Sequence, residues 1–138
     1  MSYTDVSATA AADILAQNRN AVLLDVRLAD ELEDVGMPDV SNFLHVEWLT
    51  MPVGDINPDF VSEVQRAGVQ ADDPVLVLCR VGSRSKPAAE ALTAAGFRRV
   101  YNILEGFEGE ANADAYRGTV GGWLFEGLPW REDIRKVA

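Results

Sequence analysis

Apolar residues fall along this chain in short runs separated by polar punctuation. Ala21-Val22-Leu23-Leu24-Asp25-Val26 and Pro74-Val75-Leu76-Val77-Leu78 read as strands covered on both faces, since neither run alternates apolar with polar positions. Arg99 to Leu104 reads as a third strand, and Phe43-Leu44-His45-Val46-Glu47-Trp48 suggests another. Helical segments fall between them. Ser7 is placed to cap a helix running to about Asn18, with Ala11, Ile14 and Leu15 facing inward. Residues 28–34 predict a short acidic helix ending near Gly36-Met37-Pro38. Asn57-Pro58 predicts a further helix start, a cap followed by proline at the first helical position, with Gly68 as its stop. A helix from about residue 84 to Ala95 closes on Gly96, and Pro87 is tolerated in its first turn, where a missing N–H costs little. Beyond Leu104 the pattern loosens into a glycine-punctuated stretch, Gly106 to Gly122, before a short segment at Gly122-Trp123-Leu124-Phe125. Strands alternating with helices through short loops imply an α/β domain with a mainly parallel sheet. At 138 residues, with no repeat and no linker, the chain reads as one domain over residues 1–138.

Charge and cysteine usage narrow the function classes. A formal charge of −10 argues against nucleic acid as a partner, because phosphate binding needs clustered Lys and Arg. No apolar stretch approaches the length of a membrane span, so no membrane partner is expected. Asp5 and Asp13 interrupt the apolar content of the N-terminal segment, which does not read as a leader. One cysteine and one histidine exclude an internal disulfide and leave too few ligands for a metal site of the usual kind. A reducing, cytoplasmic location is the expectation.

The chemistry concentrates in Cys79-Arg80-Val81-Gly82-Ser83-Arg84-Ser85. A cysteine between the carboxyl end of a parallel strand and the start of the next helix stands where α/β sheets place their ligand sites. First-turn N–H groups lack intrahelical acceptors, and the helix N-terminus carries roughly half a positive charge. Arg80 and Arg84 flank the sulfur with full charges. All three effects favour thiolate over thiol. Gly82, without a Cβ, lets successive N–H groups converge into an anion-binding nest. An inert buried cysteine has no use for two arginines, a glycine and two serines within six positions.

This loop resembles the active-site loop of single-domain rhodaneses, which typically read Cys-Arg-x-Gly-x-Arg-Ser. Asp25-Val26-Arg27 with Glu31 is similar to that family's first-strand motif, and Gly121-Gly122-Trp123 with Gly127-Leu128-Pro129-Trp130 to its C-terminal closure. The three matches occur in the family's order and span residues 22–130. The resemblance implies a rhodanese-like three-layer α/β domain, its mainly parallel sheet flanked by helices. It implies a sulfurtransferase in which Cys79 is the nucleophile and becomes a persulfide. Arg80, Val81, Gly82, Ser83 and Arg84 would hold the transferred sulfur, with Arg84 orienting the loop or meeting an anionic donor. Asp25, Arg27 and Ser85 would support, Arg27 through Glu31 or loop carbonyls, Ser85 also as a helix cap. The six-residue span from Cys79 to Arg84 is one residue shorter than in the phosphatase relatives of the fold, which favours sulfur over an oxyanion. No metal or organic cofactor is needed. The partners implied are a small sulfur donor such as thiosulfate or a persulfide and a thiol or cyanide-like acceptor. A protein acceptor in a sulfur relay stays open, as does, with less support, a phosphatase or arsenate reductase.

Two stretches depart from the family pattern. Gly36-Met37-Pro38-Asp39-Val40-Ser41 stands where many members read Gly-His-Ile-Pro-Gly-Ala, and His45 is shifted into the following run, where it reads as structural. Extra residues between Gly106 and Gly121 suggest a loop across one end of the sheet, shaping an acceptor entrance with Trp48. Trp123 and Trp130 read as packing and anchoring residues.

Overall fold

The structure, a computed structural model, describes residues 2–132. Its centre is a five-stranded parallel sheet in the order β1-β8-β7-β2-β4. These strands are β1 (Thr4–Val6), β2 (Val22–Asp25), β4 (Phe43–His45), β7 (Val75–Leu78) and β8 (Val100–Ile103). The apolar runs Val-Leu-Leu and Val-Leu-Val-Leu occupy the two inner strands β2 and β7, where both faces need covering. Alternate side chains then feed two cores. Leu24, Val75 and Val77 pack with Phe60, Val64, Ala88 and Leu92 from α3 (Phe60–Arg66) and α4 (Ser85–Ala94). Leu23, Leu76 and Leu78 pack on the other face with Ala8 and Ala11 of α1 (Ala8–Gln17), and with Phe107 and Trp123. The fourth helix, α2 (Ala29–Val35), follows β2 and buries Leu32.

The expected elements are largely present. Ser7 caps α1 by accepting the Ala10 N–H at 3.1 Å, and Ala11 is fully buried, with Ile14 and Leu15 half-buried. The helix after Asn57-Pro58 starts later than expected, because Asn57 Oδ1 accepts the Asp59 N–H at 3.0 Å and turns the chain first, so Pro58 precedes α3. The run from Phe43 stops being a strand at His45. Val46 and Trp48 still donate to the carbonyls of Asp25 and Val26, and Trp48 packs edge-on against Phe60 with ring centroids 5.0 Å apart. Trp48 is therefore a core residue, which removes it from the acceptor entrance. The short segment at Gly122–Phe125 forms a bend and turns.

Five small strands lie outside what the pattern predicts. β1 is a three-residue edge strand whose place comes from pairing with β8, not from its own mostly exposed residues. β3 (Met37–Pro38) pairs antiparallel with β9 (Trp130–Arg131), and β5 (Leu49–Thr50) with β6 (Asp55–Ile56). The first of these pairs accounts for the departure at residues 36–41: Pro38 meets Trp130, so the stretch is tied to the C-terminal closure. Trp130 anchors there while its side chain stays half-exposed. No helix among the described residues is long and apolar enough to cross a membrane.

Candidate active site

The β7 run delivers the chain to Cys79 at the carboxyl edge of the sheet, with Leu78 opposite Asp25 of β2. Residues 79–84 then form the connection into α4. Cys79 is fully buried, and the Gly82 N–H donates to its Sγ at 3.1 Å. Gly82 has φ +99°, in the left-handed region where a Cβ is penalised, and this turn is what aims its N–H back at the sulfur. Among the described residues, the N–H groups of Val81, Ser83 and Arg84 donate to no protein acceptor.

Ser85 lies 3.3 Å from Sγ and donates its own hydroxyl to Asn102 Oδ1, while Asn102 Nδ2 donates to Asp5 Oδ1 at 3.0 Å. A serine has one hydroxyl proton. Given to Asn102, it leaves Ser85 as acceptor of the thiol proton. The expectation that Ser85 caps α4 is thus corrected: Arg84 occupies the cap position without a side-chain cap bond, and Ser85 turns inward. Ser83 is exposed.

Three ion pairs surround the loop. Arg27 and Asp25 are both fully buried; Nε donates to Oδ1 at 3.0 Å and Nη2 to Oδ2 at 2.7 Å. Nη2 also donates to the Gly36 carbonyl at 2.9 Å, and the guanidinium stacks 4.4 Å from the Phe107 ring centroid. Arg27 does not use Glu31, as one expectation had it. Glu31 takes Arg84 instead, with contacts of 2.6 and 2.8 Å, and also accepts the Leu28 N–H at 2.9 Å. Burial would raise the Glu31 carboxyl, but the Arg84 and Leu28 hydrogen bonds overcome it and hold the group below its ordinary value. The hydrogen bonds to Glu31 hold Arg84 above its ordinary value against the opposing effect of burial. The third pair is Arg80 Nε with Glu108 Oε2 at 2.9 Å, close but not aligned as a hydrogen bond. Each loop arginine therefore has a carboxylate partner, so the free positive charge expected beside the sulfur is offset. His45 Nε2 lies 2.7 Å from the Arg27 carbonyl oxygen, a structural placement.

A second layer, invisible in the spacing of the motif, fixes the loop from below. Phe107 N–H donates to the Cys79 carbonyl at 2.8 Å, and Glu108 and Gly109 N–H donate to the Arg80 carbonyl at 3.0 and 3.2 Å. The Gly-Gly-Trp closure then holds this arm: Trp123 N–H donates to the Gly106 carbonyl at 2.9 Å and Leu124 N–H to that of Phe107 at 3.1 Å. The start of the glycine-rich stretch is thus part of the site's frame rather than a free excursion. The sequence does not single out Asn102, and it places Gly106, Phe107 and Glu108 in a loop at the acceptor entrance rather than beneath Cys79. The advance signal for the last three is the glycine density from residue 106, which marks close backbone approach.

Comparisons with known proteins agree with this geometry. The family described as the STR4 middle domain matches residues 3–137. An uncharacterised protein of Rickettsia conorii is 36% identical over 132 residues, 95% of this chain and 99% of that one. The thiosulfate sulfurtransferase GlpE of Tolumonas auensis is 34% identical over 89 residues, 64% of this chain and 79% of that one. The crystal structure of Rv0390 from M. tuberculosis superposes with a TM-score of 0.87 at 40% identity, covering 96% of this chain and 100% of that one. The polysulfide-sulfur transferase homodimer of Wolinella succinogenes gives 0.69 at 28% identity, covering 95% and 80%.

Proposed function

This chain belongs to the single-domain rhodanese family, within the group described as the STR4 middle domain, and from that premise we propose that it is a sulfurtransferase working through a Cys79 persulfide. The observation that carries the reading is the cradle around Sγ. A cysteine at a strand end, met by the Gly82 N–H and ringed by N–H groups without protein acceptors, suits a sulfur that must carry an additional anionic sulfur. Two relatives whose names specify thiosulfate and polysulfide sulfur transfer support the same chemistry.

In the first step the Cys79 thiolate attacks the outer sulfur of thiosulfate or of a persulfide. A Sγ–S bond forms, the donor's S–S bond breaks, and sulfite or a thiolate leaves with the bonding pair. The product is Cys79–S–S⁻, its outer sulfur inside the loop of residues 80–84. In the second step a thiolate or cyanide attacks that outer sulfur, the S–S bond breaks toward Sγ, and the thiolate returns. Sγ is fully buried, so the donor has to present its terminal sulfur end-on. Val81, Gly82, Ser83 and Arg84 act through backbone N–H groups, and Arg80 through its half-exposed guanidinium. Arg84 keeps the loop in shape through Glu31, and Asp25, Arg27 and Ser85 hold the frame.

Intact-mass measurement after incubation with thiosulfate tests the proposal. A gain of one sulfur atom, lost on cyanide treatment and absent in Cys79→Ser, is expected. An unchanged mass with thiosulfate and with several persulfide donors overturns it.

A further inference from the structure

Counting charges at the mouth of the loop gives a result that the motif alone conceals. Arg80 and Arg84 each meet one glutamate, Glu108 and Glu31 respectively. Glu31 engages Arg84 with both carboxylate oxygens. Glu108 is the unusual member. Its carboxylate is 8% exposed, and its own N–H donates to the carbonyl of the arginine whose guanidinium it meets, so backbone and side chain both fix it on Arg80. The contact is short but poorly aligned, and neither Glu108 Oε2 nor Arg80 Nε has another partner among the described residues. A buried carboxylate held this way serves poorly as a stabilising bond. It does cancel the charge of the more exposed loop arginine, which is 43% exposed and the group an incoming anion meets.

Resting on the sulfur-transfer reading above, we infer that Glu108 is a specificity-determining residue, acting through Arg80 to disfavour dianionic donors and favour donors that bring one negative charge or none. A dianion such as thiosulfate entering this mouth meets an Arg84 turned onto Glu31 and an Arg80 neutralised by Glu108. A persulfide presents its sulfane sulfur with at most one charge at the reacting end, and loses less. Specificity here comes from a repulsive element placed against the competitor.

The experiment compares kcat/KM for thiosulfate and for cysteine persulfide, with cyanide as acceptor, in the unaltered protein, Glu108→Gln, Arg80→Ala and the double variant. Glu108→Gln is expected to raise the thiosulfate-to-persulfide ratio by about tenfold, through KM for thiosulfate rather than kcat, and the gain should vanish when Arg80 is also replaced. A ratio unmoved in Glu108→Gln, or a gain that persists when Arg80 is also replaced, overturns the inference while leaving the transfer chemistry standing. Absence of transfer from either donor in the unaltered protein overturns the transfer reading itself.

Discussion

Arg84 and Glu31, 53 positions apart, form a two-pronged ion pair with contacts of 2.6 and 2.8 Å that ties the nucleophile loop to the first turn of α2. The arginine that the motif places beside the sulfur therefore reaches away from it, to a carboxylate on another element. Such planar two-point pairing is specific to arginine. It gives the loop's last residue one position instead of several.

The pair has a pH signature. Glu31 is held below its ordinary value, so its contribution to stability is present above the unfolded value of about 4.3 and is lost as pH falls through the folded value. Denaturant midpoints taken at pH 6 and pH 3.5 should fall further in the unaltered protein than in Glu31→Gln. Equal falls would mean that the pair does not couple to folding. Arg84→Lys, which keeps charge but not the fork, should lower the transfer rate by about tenfold while leaving Cys79 able to form the persulfide.

Ser85 and Asn102 link the sulfur to β8 and, through Asp5, to β1. Ser85→Ala leaves the buried Asn102 Oδ1 without its donor and should cost about 1–3 kcal/mol in urea unfolding. Replacing both partners with apolar residues, in Ser85→Ala/Asn102→Leu, should recover part of that loss, because the unsatisfied acceptor is removed. A double variant no better than the sum of the singles would deny the coupling.

Burial makes Arg27 an architectural residue, though it lies beside the loop. Arg27→Met strands the Asp25 carboxylate in a fully buried site and should cost about 3–5 kcal/mol. It also removes the bond to the Gly36 carbonyl and the stack on Phe107. Differential scanning calorimetry should show the melting temperature falling with the transfer rate. Lost transfer at an unchanged melting temperature would assign Arg27 to the chemistry instead.

What was legible in the sequence divides along a physical line. The β2 and β7 runs, the Ser7 cap and the Cys79 loop are set by neighbours in the chain, and each stands where the pattern puts it. Contacts made at long range are not legible that way. Glu31 sits one helical turn from Arg27, and spacing favours that pair, but the fold brings Arg84 to Glu31 and leaves Arg27 to Asp25. Asn102 reads as one polar residue in a strand, and only its register opposite Val77 of β7 brings it near Ser85. β1 exists because β8 offers an edge, which three mostly exposed residues cannot announce.

The arm under the loop offers the sharpest test of the frame. Gly106 has φ +64°, and a Cβ there would fall against the Cys79 carbonyl oxygen and within 2.6 Å of the Arg80 carbonyl carbon and oxygen. These are backbone atoms, so no side chain can swing aside to make room. Gly106→Ala has to push the arm off the loop, breaking the Phe107 N–H bond to Cys79 and the two bonds to Arg80. Both core faces of the sheet remain covered, so the domain should still fold with a lowered melting temperature. The loop loses the support that sets its curvature, and transfer should drop by about a hundredfold, in line with the cost of displacing reacting groups by an ångström. Steady-state transfer rates beside hydrogen-exchange protection of residues 79–84 would measure both effects. Gly106→Ala with full activity would mean that the loop keeps its shape without the arm, and that its curvature is set by Gly82 and the ion pairs alone.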